Sequence, residues 1–420
     1  MESKGRYVRV CSITHHQVVD NPRLYREAEA LVQAGHEVRV VSVQHTPGMD
    51  RLDQELARRG GWRLQSINIE RSPEGRWNWF RTGIRKKAAK HFWKMGARGK
   101  RLAGFAYTRT FSETIRAVLS EPADWIIAHT QPMLAPAYFA ARRAGCAWSF
   151  DCEDILSEEY GEGIQDPSHQ TLVRYVEKTF IPRASFVTAA SGPFQRWLVE
   201  NCGLSPYSVL VRNVPSAKDA PRGAAPGYPE SRKRLLLYWF SQSIGPLRGI
   251  EDVLRALPRV EVPVELHLRG EVLPEFQETL DRLIQELGVR EKVFIHPRIP
   301  PHELLKAAAQ HDIGLALMQP CCLNHELAVP NKIYFYMMAG LAVIATSTKG
   351  HQSAMAEADG AGFMYRPGDF EDLADRINFL AKSPGKLWDC RKRAFELART
   401  RFNWETERKK IVELVEKLRK

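Results

Sequence analysis

The chain has 420 residues, 44% hydrophobic, 10% aromatic and 26% charged, which is longer than one usual domain and apolar enough for full cores. A peptide-sized binding module and a wholly disordered chain are therefore excluded. The formal net charge of +12 suits an anionic partner, and most of the excess sits in one stretch, since Arg71 to Arg101 holds eleven basic residues and one acid, Glu74.

Tyr7 to Ile13 reads as a short strand, and Pro22 opens a helix whose Leu24, Ala28, Leu31 and Val32 fall on one face before Gly35 stops it. Glu37 to Val43 is the next strand, so the order is that of a parallel crossover unit. Between Arg76 and Arg101 the cations are interleaved with Trp77, Trp79, Phe80, Ile84, Phe92, Trp93 and Met95, and Phe80, Ile84, Ala88, Phe92 and Met95 recur at helical spacing. This pattern fits an interfacial helix that sets Lys86, Lys90, Trp77, Trp79 and Trp93 against an anionic membrane surface. It also fits an amphipathic helix packed on its own domain with a solvated basic face. The alternation returns with strand Trp125 to Ala128, helix Pro132 to Arg143 ended by Gly145, strand Trp148 to Asp151, helix Leu172 to Phe180 and strand Phe186 to Ala189.

From Asn213 to Arg232 the composition shifts to Pro215, Pro221, Gly223, Pro226, Gly227 and Pro229, as expected of an exposed linker. The pattern then restarts with strand Leu235 to Phe240, helix Ile250 to Leu257, strand Val264 to Leu268, helix Phe276 to Leu287 and strand Val293 to Ile295. It goes on through helix His302 to Gln310, strand Ile313 to Met318, helix Lys332 to Ala339, strand Ala342 to Ala345 and a helical stretch from Trp404. The expected organisation is an N-terminal Rossmann-like domain over 1–212, a linker over 213–232, a second Rossmann-like domain over 233–402, and a C-terminal helix over 403–420 that is a candidate to cross back to the first. Two doubly wound sheets facing one another place ligands at the carboxyl ends of their strands.

Several chemistries lack their signatures. There is no GxGxxG and no GxxxxGK[ST], which demotes a dinucleotide dehydrogenase and a P-loop NTPase. Seven cysteines without CxxC spacing argue for a reducing compartment, and no signal-peptide core or long apolar run is present. A cytoplasmic protein, at most peripheral on the inner face of a membrane, is the expectation. Nucleic acid is not an expected partner, because no recognised motif accompanies the charge.

The pattern Asn21-Pro-Arg-Leu-Tyr-Arg-Glu-Ala-Glu-Ala-Leu-Val-Gln-Ala-Gly-His-Glu-Val38 resembles the opening helix of the retaining glycosyltransferases of family GT4, which have the two-domain α/β fold called GT-B. Asp124-Trp-Ile-Ile-Ala-His-Thr130 is similar to the strand ending in that family's active-site histidine, and Phe150-Asp-Cys-Glu-Asp154 to its YDxHE-like turn. Ile244-Gly-Pro-Leu-Arg-Gly-Ile-Glu251 is similar to the loop and helix that hold the donor diphosphate. Pro330-Asn-Lys-Ile-Tyr-Phe-Tyr-Met-Met-Ala-Gly-Leu-Ala-Val-Ile344 resembles the family's PNKxxEYMAAGLPVI segment. The departure is at the EX7E motif, whose glutamates would fall at positions 327 and 335, occupied here by Leu327 and Phe335; Glu326 is one residue out of register.

The resemblance implies transfer of a sugar from a nucleotide-diphosphate donor to a glycan or lipid-linked acceptor with retention of configuration, as in surface polysaccharide or glycolipid synthesis. The donor side would be Gly245, Arg248, Asn331, Lys332 and Phe335. Arg248 also qualifies by position, since it precedes a helix N-terminus where backbone N–H groups favour an anion. His129 ends a strand, where it would hydrogen-bond the transferred sugar or relay a proton. Asp151, Glu153 and Asp154 would orient acceptor hydroxyls or act as a base, or else cap the following helix. His15 and His16 are candidates for the acceptor side. No Asp-x-Asp pair occurs, so no metal and no other cofactor is expected, the diphosphate being neutralised by Arg248, Lys332 and helix dipoles. The altered motif keeps a second possibility open, a GT-B-fold protein that has lost transfer and serves as a binding partner or scaffold.

Overall fold

The computed structural model describes residues 7–159, 166–204, 208–221 and 234–417. The chain divides into two compact units, one running to Val211 and taking up the chain again from Arg408, the other spanning Arg212–Glu407. Most of the expected linker, from position 222, lies outside the described residues.

In the first unit β1 (Arg9–Ile13), β2 (Glu37–Gln44), β3 (Arg63–Asn68), β4 (Trp125–His129), β5 (Ala147–Cys152), β6 (Phe186–Ala189) and β7 (Ser208–Leu210) form a parallel sheet in the order 3-2-1-4-5-6-7. The order reverses between β1 and β4, which pair in register from Val10 and Trp125. β4 is buried along its whole length, as a parallel strand covered by helices on both faces must be. The helix Pro22–Gln33 starts where it does because Pro22 needs no amide partner and the Asn21 side chain accepts from the Leu24 N–H at 3.0 Å. Its Leu24, Ala28 and Leu31 are fully buried. The strand β3 and the helix Asp50–Gly60 before it carry too few apolar residues to stand out in sequence, and five of the six β3 residues are only half-buried.

In the second unit β8 (Leu235–Ile244), β9 (Val264–Val272), β10 (Val293–His296), β11 (Ile313–Ala316), β12 (Ala342–Thr346) and β13 (Gly362–Tyr365) repeat the plan in the order 10-9-8-11-12-13, with the reversal between β8 and β11. Alternate residues of β8 feed two cores. Leu237 and Trp239 pack with Ile250, Val253 and Leu373, whereas Tyr238 and Phe240 pack with Ile333, Tyr336 and Met337. β8 extends past the expected end at Phe240, and Ser241-Gln-Ser243 continues it through a bulge instead of forming a loop. β13 and the helices Phe370–Lys382 and Pro384–Thr400 complete the sheet's edge and cover it.

Asp312 holds the start of this sheet together: its carboxylate accepts from the Leu236 N–H at 3.0 Å and from Arg391 Nη1 at 3.0 Å, while Arg391 Nε donates to the Gly340 carbonyl at 2.9 Å. Both side chains are buried. Removing one partner of a buried pair leaves the other charge uncompensated, so Arg391→Leu is expected to cost about 3–5 kcal/mol, read as a lower denaturant midpoint.

Candidate active site

The loop after β8 closes on the end of β11. Gly249 has φ of +74°, and a Cβ there would lie 2.2 Å from the Leu317 carbonyl oxygen, so only glycine allows this approach. Leu247 in the same loop has φ of +61° although it is not a glycine, a strain that the surrounding contacts must hold. On the following helix Ile250–Ala256 the buried Asp252 accepts from Gln319 Nε2 at 2.8 Å, the Tyr365 hydroxyl at 3.1 Å and the Gly368 N–H at 3.1 Å. Gly245 sits where a side chain would meet Leu273.

Two cations occupy this end of the sheet. Arg248 is exposed and its guanidinium donates to the Ser241 hydroxyl at 3.4 Å. Lys332, at the start of the helix Lys332–Met338, lies over the Trp239 ring with its ammonium 4.3 Å from the centroid. Among the described residues neither has a carboxylate partner. Burial and then the nearby Arg248 pull the Lys332 ammonium down to about 7. Asn331 is half-buried just before that helix.

Beside them His351, in the first turn of Lys349–Glu357, is fully buried, with Nδ1 against Thr346 and Nε2 without a hydrogen-bond partner among the described residues. Burial lowers it to about 4, so it is neutral. The sequence reading missed it because nothing in its spacing marks the turn after β12.

At the two positions of the altered motif Leu327 is buried and Phe335 packs on Phe240, with centroids 5.8 Å apart. Glu326 accepts from the Lys349 N–H at 3.2 Å and so caps the neighbouring helix. Cys321, Cys322 and His325 bring two thiols and an imidazole nitrogen within 4.8 Å of one another, a donor set for a soft metal that the sequence reading also missed.

In the first unit His129 is not at an open strand end. It is wholly buried, with Nε2 3.5 Å from Glu27 and Nδ1 3.4 Å from Asp151. Burial pulls its pKa down, but Glu27 and Asp151 overcome this and raise it to about 10. His129 is therefore held as an imidazolium between two buried carboxylates, not at the open cleft edge expected of it.

Asp151 differs from expectation too, for it neither caps a helix nor faces open space. Its oxygens take a bidentate pair from Arg23 at 2.6 and 2.7 Å and a bond from the Thr188 hydroxyl at 2.5 Å. Although burial opposes ionisation, Arg23 and His129 hold its carboxyl well below the usual carboxylate range. Arg23 and Glu27, unremarkable on a helix in sequence, are brought here by the fold.

Glu153 is the carboxyl left over. It is half-buried, has no hydrogen-bond partner among the described residues, and one of its oxygens lies within 4.8 Å of the polar atoms of His129 and Asp151. Burial and then the charge of Asp151 push it up to about 7. Thr130, next to His129, has φ of +69°, a second non-glycine strain point.

Of the remaining candidates, His15 and His16 follow β1 and pack against His45, with ring centroids 5.2 and 6.2 Å from it. Lys86 and Lys90 lie half-buried on the helix Arg76–Lys94. Its buried row is Thr82, Ala89 and Trp93, while Trp77, Phe80, Ile84, Phe92 and Met95 are exposed. Trp93 thus belongs to the core, 5.0 Å from Tyr175, and not to an outer surface as expected. Trp79 is half-buried between Arg71 and Arg109, at 4.7 and 4.8 Å from its centroid.

The family described as "Glycosyl transferase 4-like domain" matches residues 21–213, and that described as "Glycosyl transferases group 1" matches residues 236–383. The chain carries the two domains of a GT-B glycosyltransferase. Both sheets agree with the GT-B architecture. Among solved structures, sucrose-phosphate synthase from Thermosynechococcus elongatus is similar at a TM-score of 0.74 and 14% identity, over 98% of this chain and 99% of that one. Anabaena HepE in complex with UDP is similar at 0.69 and 18%, over 97% and 100%. A glycosyltransferase from Rickettsia africae is similar at 0.71 and 13%, over 99% of both. No curated protein matches the sequence.

The leftover carboxyl gives a test with a definite sign. A group whose folded pKa is raised costs stability above its unfolded pKa, and the full cost is reached above the folded value. Glu153→Gln is therefore expected to melt at the same temperature as the parent at pH 4 and a few degrees higher at pH 8. A thermal melt at the two pH values checks this.

Proposed function

We propose that the protein transfers a sugar from a nucleotide-diphosphate donor to a glycan or lipid-linked acceptor, with retention of configuration and without a metal, in surface polysaccharide or glycolipid synthesis. The second unit would bind the donor and the first the acceptor. The observation that carries this reading is the pair Arg248 and Lys332, two cations lacking a carboxylate partner among the described residues at the chain reversal of the second sheet. The strand ends at such a reversal are where open α/β sheets bind ligands. A diphosphate there would take charge-assisted bonds from Arg248, Lys332 and the N–H groups at the start of Ile250–Ala256.

The crystal structures of HepE hold UDP and UDP-glucose, which supports a UDP-sugar as the first donor class to try. The family resemblance gives retention, in which the leaving phosphate helps take the acceptor's proton and the protein supplies positioning and charge stabilisation. Glu153 is the carboxyl with the freedom and the pKa to orient an acceptor hydroxyl; Asp151 and His129 would set its charge and position. No helix among the described residues is long and apolar enough to cross a membrane. The exposed Trp77, Phe80 and Ile84 on a basic helix support peripheral contact with an anionic surface.

Calorimetric titration with UDP is expected to show binding that weakens roughly 10- to 150-fold in Arg248→Ala, the loss of a bond worth about 1.5–3 kcal/mol. Because Lys332 loses its proton near pH 7, affinity should be higher at pH 6 than at pH 8, and Lys332→Arg should flatten that difference. Leu327 and Phe335 keep the altered-protein reading alive. UDP binding without turnover of any UDP-sugar would favour it, and absence of UDP binding would remove the proposed donor site.

A further inference from the structure

Near the loop that follows β1, the helix Arg76–Lys94 holds positive charge that no carboxylate among the described residues pairs. Three cations meet on it: Lys86 and Lys90, one turn apart on the helix Arg76–Lys94, and Arg109, whose Nη2 lies 2.9 Å from where a Gly83 Cβ would be. All three are half-buried. Arg109 Nε donates to the Thr82 hydroxyl at 2.9 Å, and its Nη2 donates to the Trp79 carbonyl. Neither lysine has a hydrogen bond or ion pair among the described residues.

Two carboxylates that reach this helix are already paired with other cations. Glu113 binds Arg81, Arg85 and Arg116 at 2.9, 2.5 and 3.1 Å, and Asp166 binds Lys94 at 2.6 Å. Two imidazoles adjoin the lysines, His15 after β1 and His169 on the helix Pro167–Phe180, and each has a buried Nδ1 with no hydrogen-bond partner among the described residues. Lys86 is the common neighbour: its charge bears on both imidazoles, and those of Lys90 and Arg109 bear on it. Burial and those two cations draw the Lys86 ammonium down to about 8.

Half-buried cations without counter-charge, beside unpaired imidazole nitrogens, are costly in a folded protein unless an anion completes them. A carboxylate satisfies one fork, whereas the several oxygens of a phosphate or diphosphate match donors arriving from three directions. We propose that Lys86, Lys90, Arg109, His15 and His169 form a binding site for a phosphate or diphosphate group carried by the acceptor. That the group belongs to an acceptor rests on the transfer reading above; the anion site itself does not.

The test is calorimetric titration of the full chain with inorganic pyrophosphate. To silence the proposed donor cations the titration is done in the Arg248→Ala/Lys332→Met chain, and again after adding Lys86→Met/Lys90→Met. Arg109 is left alone because it bonds the helix backbone, and a thermal melt in buffer shows that each variant folds. Binding that survives the donor substitutions and weakens at least tenfold with the lysine substitutions is the expected result. Binding lost with the donor substitutions, or unchanged by the lysine ones, overturns the site.

Co-sedimentation with phosphatidylcholine vesicles, with and without phosphatidylglycerol, separates the sources. Lysine-dependent pyrophosphate binding without lysine-dependent vesicle binding supports a phosphate delivered on the acceptor, and both together support one presented at the membrane surface. Lysine-dependent vesicle binding without pyrophosphate binding overturns the site, leaving a diffuse basic face. If the parent chain binds no UDP yet pyrophosphate binding depends on the lysines, the transfer reading falls and the anion site stands.

Discussion

The first unit is organised around one buried carboxylate that two cations share. Asp151 on β5 is held by Arg23 from the helix Pro22–Gln33, by Thr188 from β6 and by His129 from β4, while Arg23 also donates to the Val211 carbonyl at 2.6 Å. A charge removed from water is tolerated only when its partners are close and well aimed. This network therefore fixes the relative placement of three strand ends and a helix start. Everything proposed for the unit's chemistry sits on that floor.

The same balance explains why one acid there differs from its neighbours. Arg23 and His129 supply two positive charges, which Asp151 and Glu27 consume. Glu153 comes third, finds no cation left and keeps its proton to about 7. Acidity is apportioned by which partners are filled, so Asp151 and Glu153, two residues apart, have different chemistry. In the second unit the polarity is reversed: among the described residues Arg248 and Lys332 have no carboxylate partner, and the Lys332 ammonium is depressed. One end is arranged to hold a proton near neutrality and the other to receive negative charge.

Strained backbone marks both places. Thr130 adjoins the His129 network and Leu247 lies in the loop before Arg248, and they are the non-glycine residues with positive φ among those described. Buried polar networks lie close by in the chain, that of Asp151 in one case and that of Asp252 in the other. Such conformations persist where surrounding contacts over-determine them.

The alternating strands and helices, the two-unit plan and the loop with Arg248 were legible in the amino-acid order, because period-2 and period-3.6 apolar patterns and glycine stops are local properties. Lys332 was legible through the resemblance of Pro330–Ile344 to a family segment, and the structure puts it at a helix start. β3 was not, because an edge strand with half-buried faces needs no strong apolar run. Nor was the face of Arg76–Lys94 that packs, since Trp93 and Phe92 are adjacent in sequence and only the neighbouring Tyr175 decides which one is buried. Sequence thus determined which elements form and which loops end them. Tertiary structure decided the charge state of His129, Asp151 and Glu153 and left Lys86 without an ion pair among the described residues, because a pKa or an ion pair depends on the distance and burial of groups far apart in the chain.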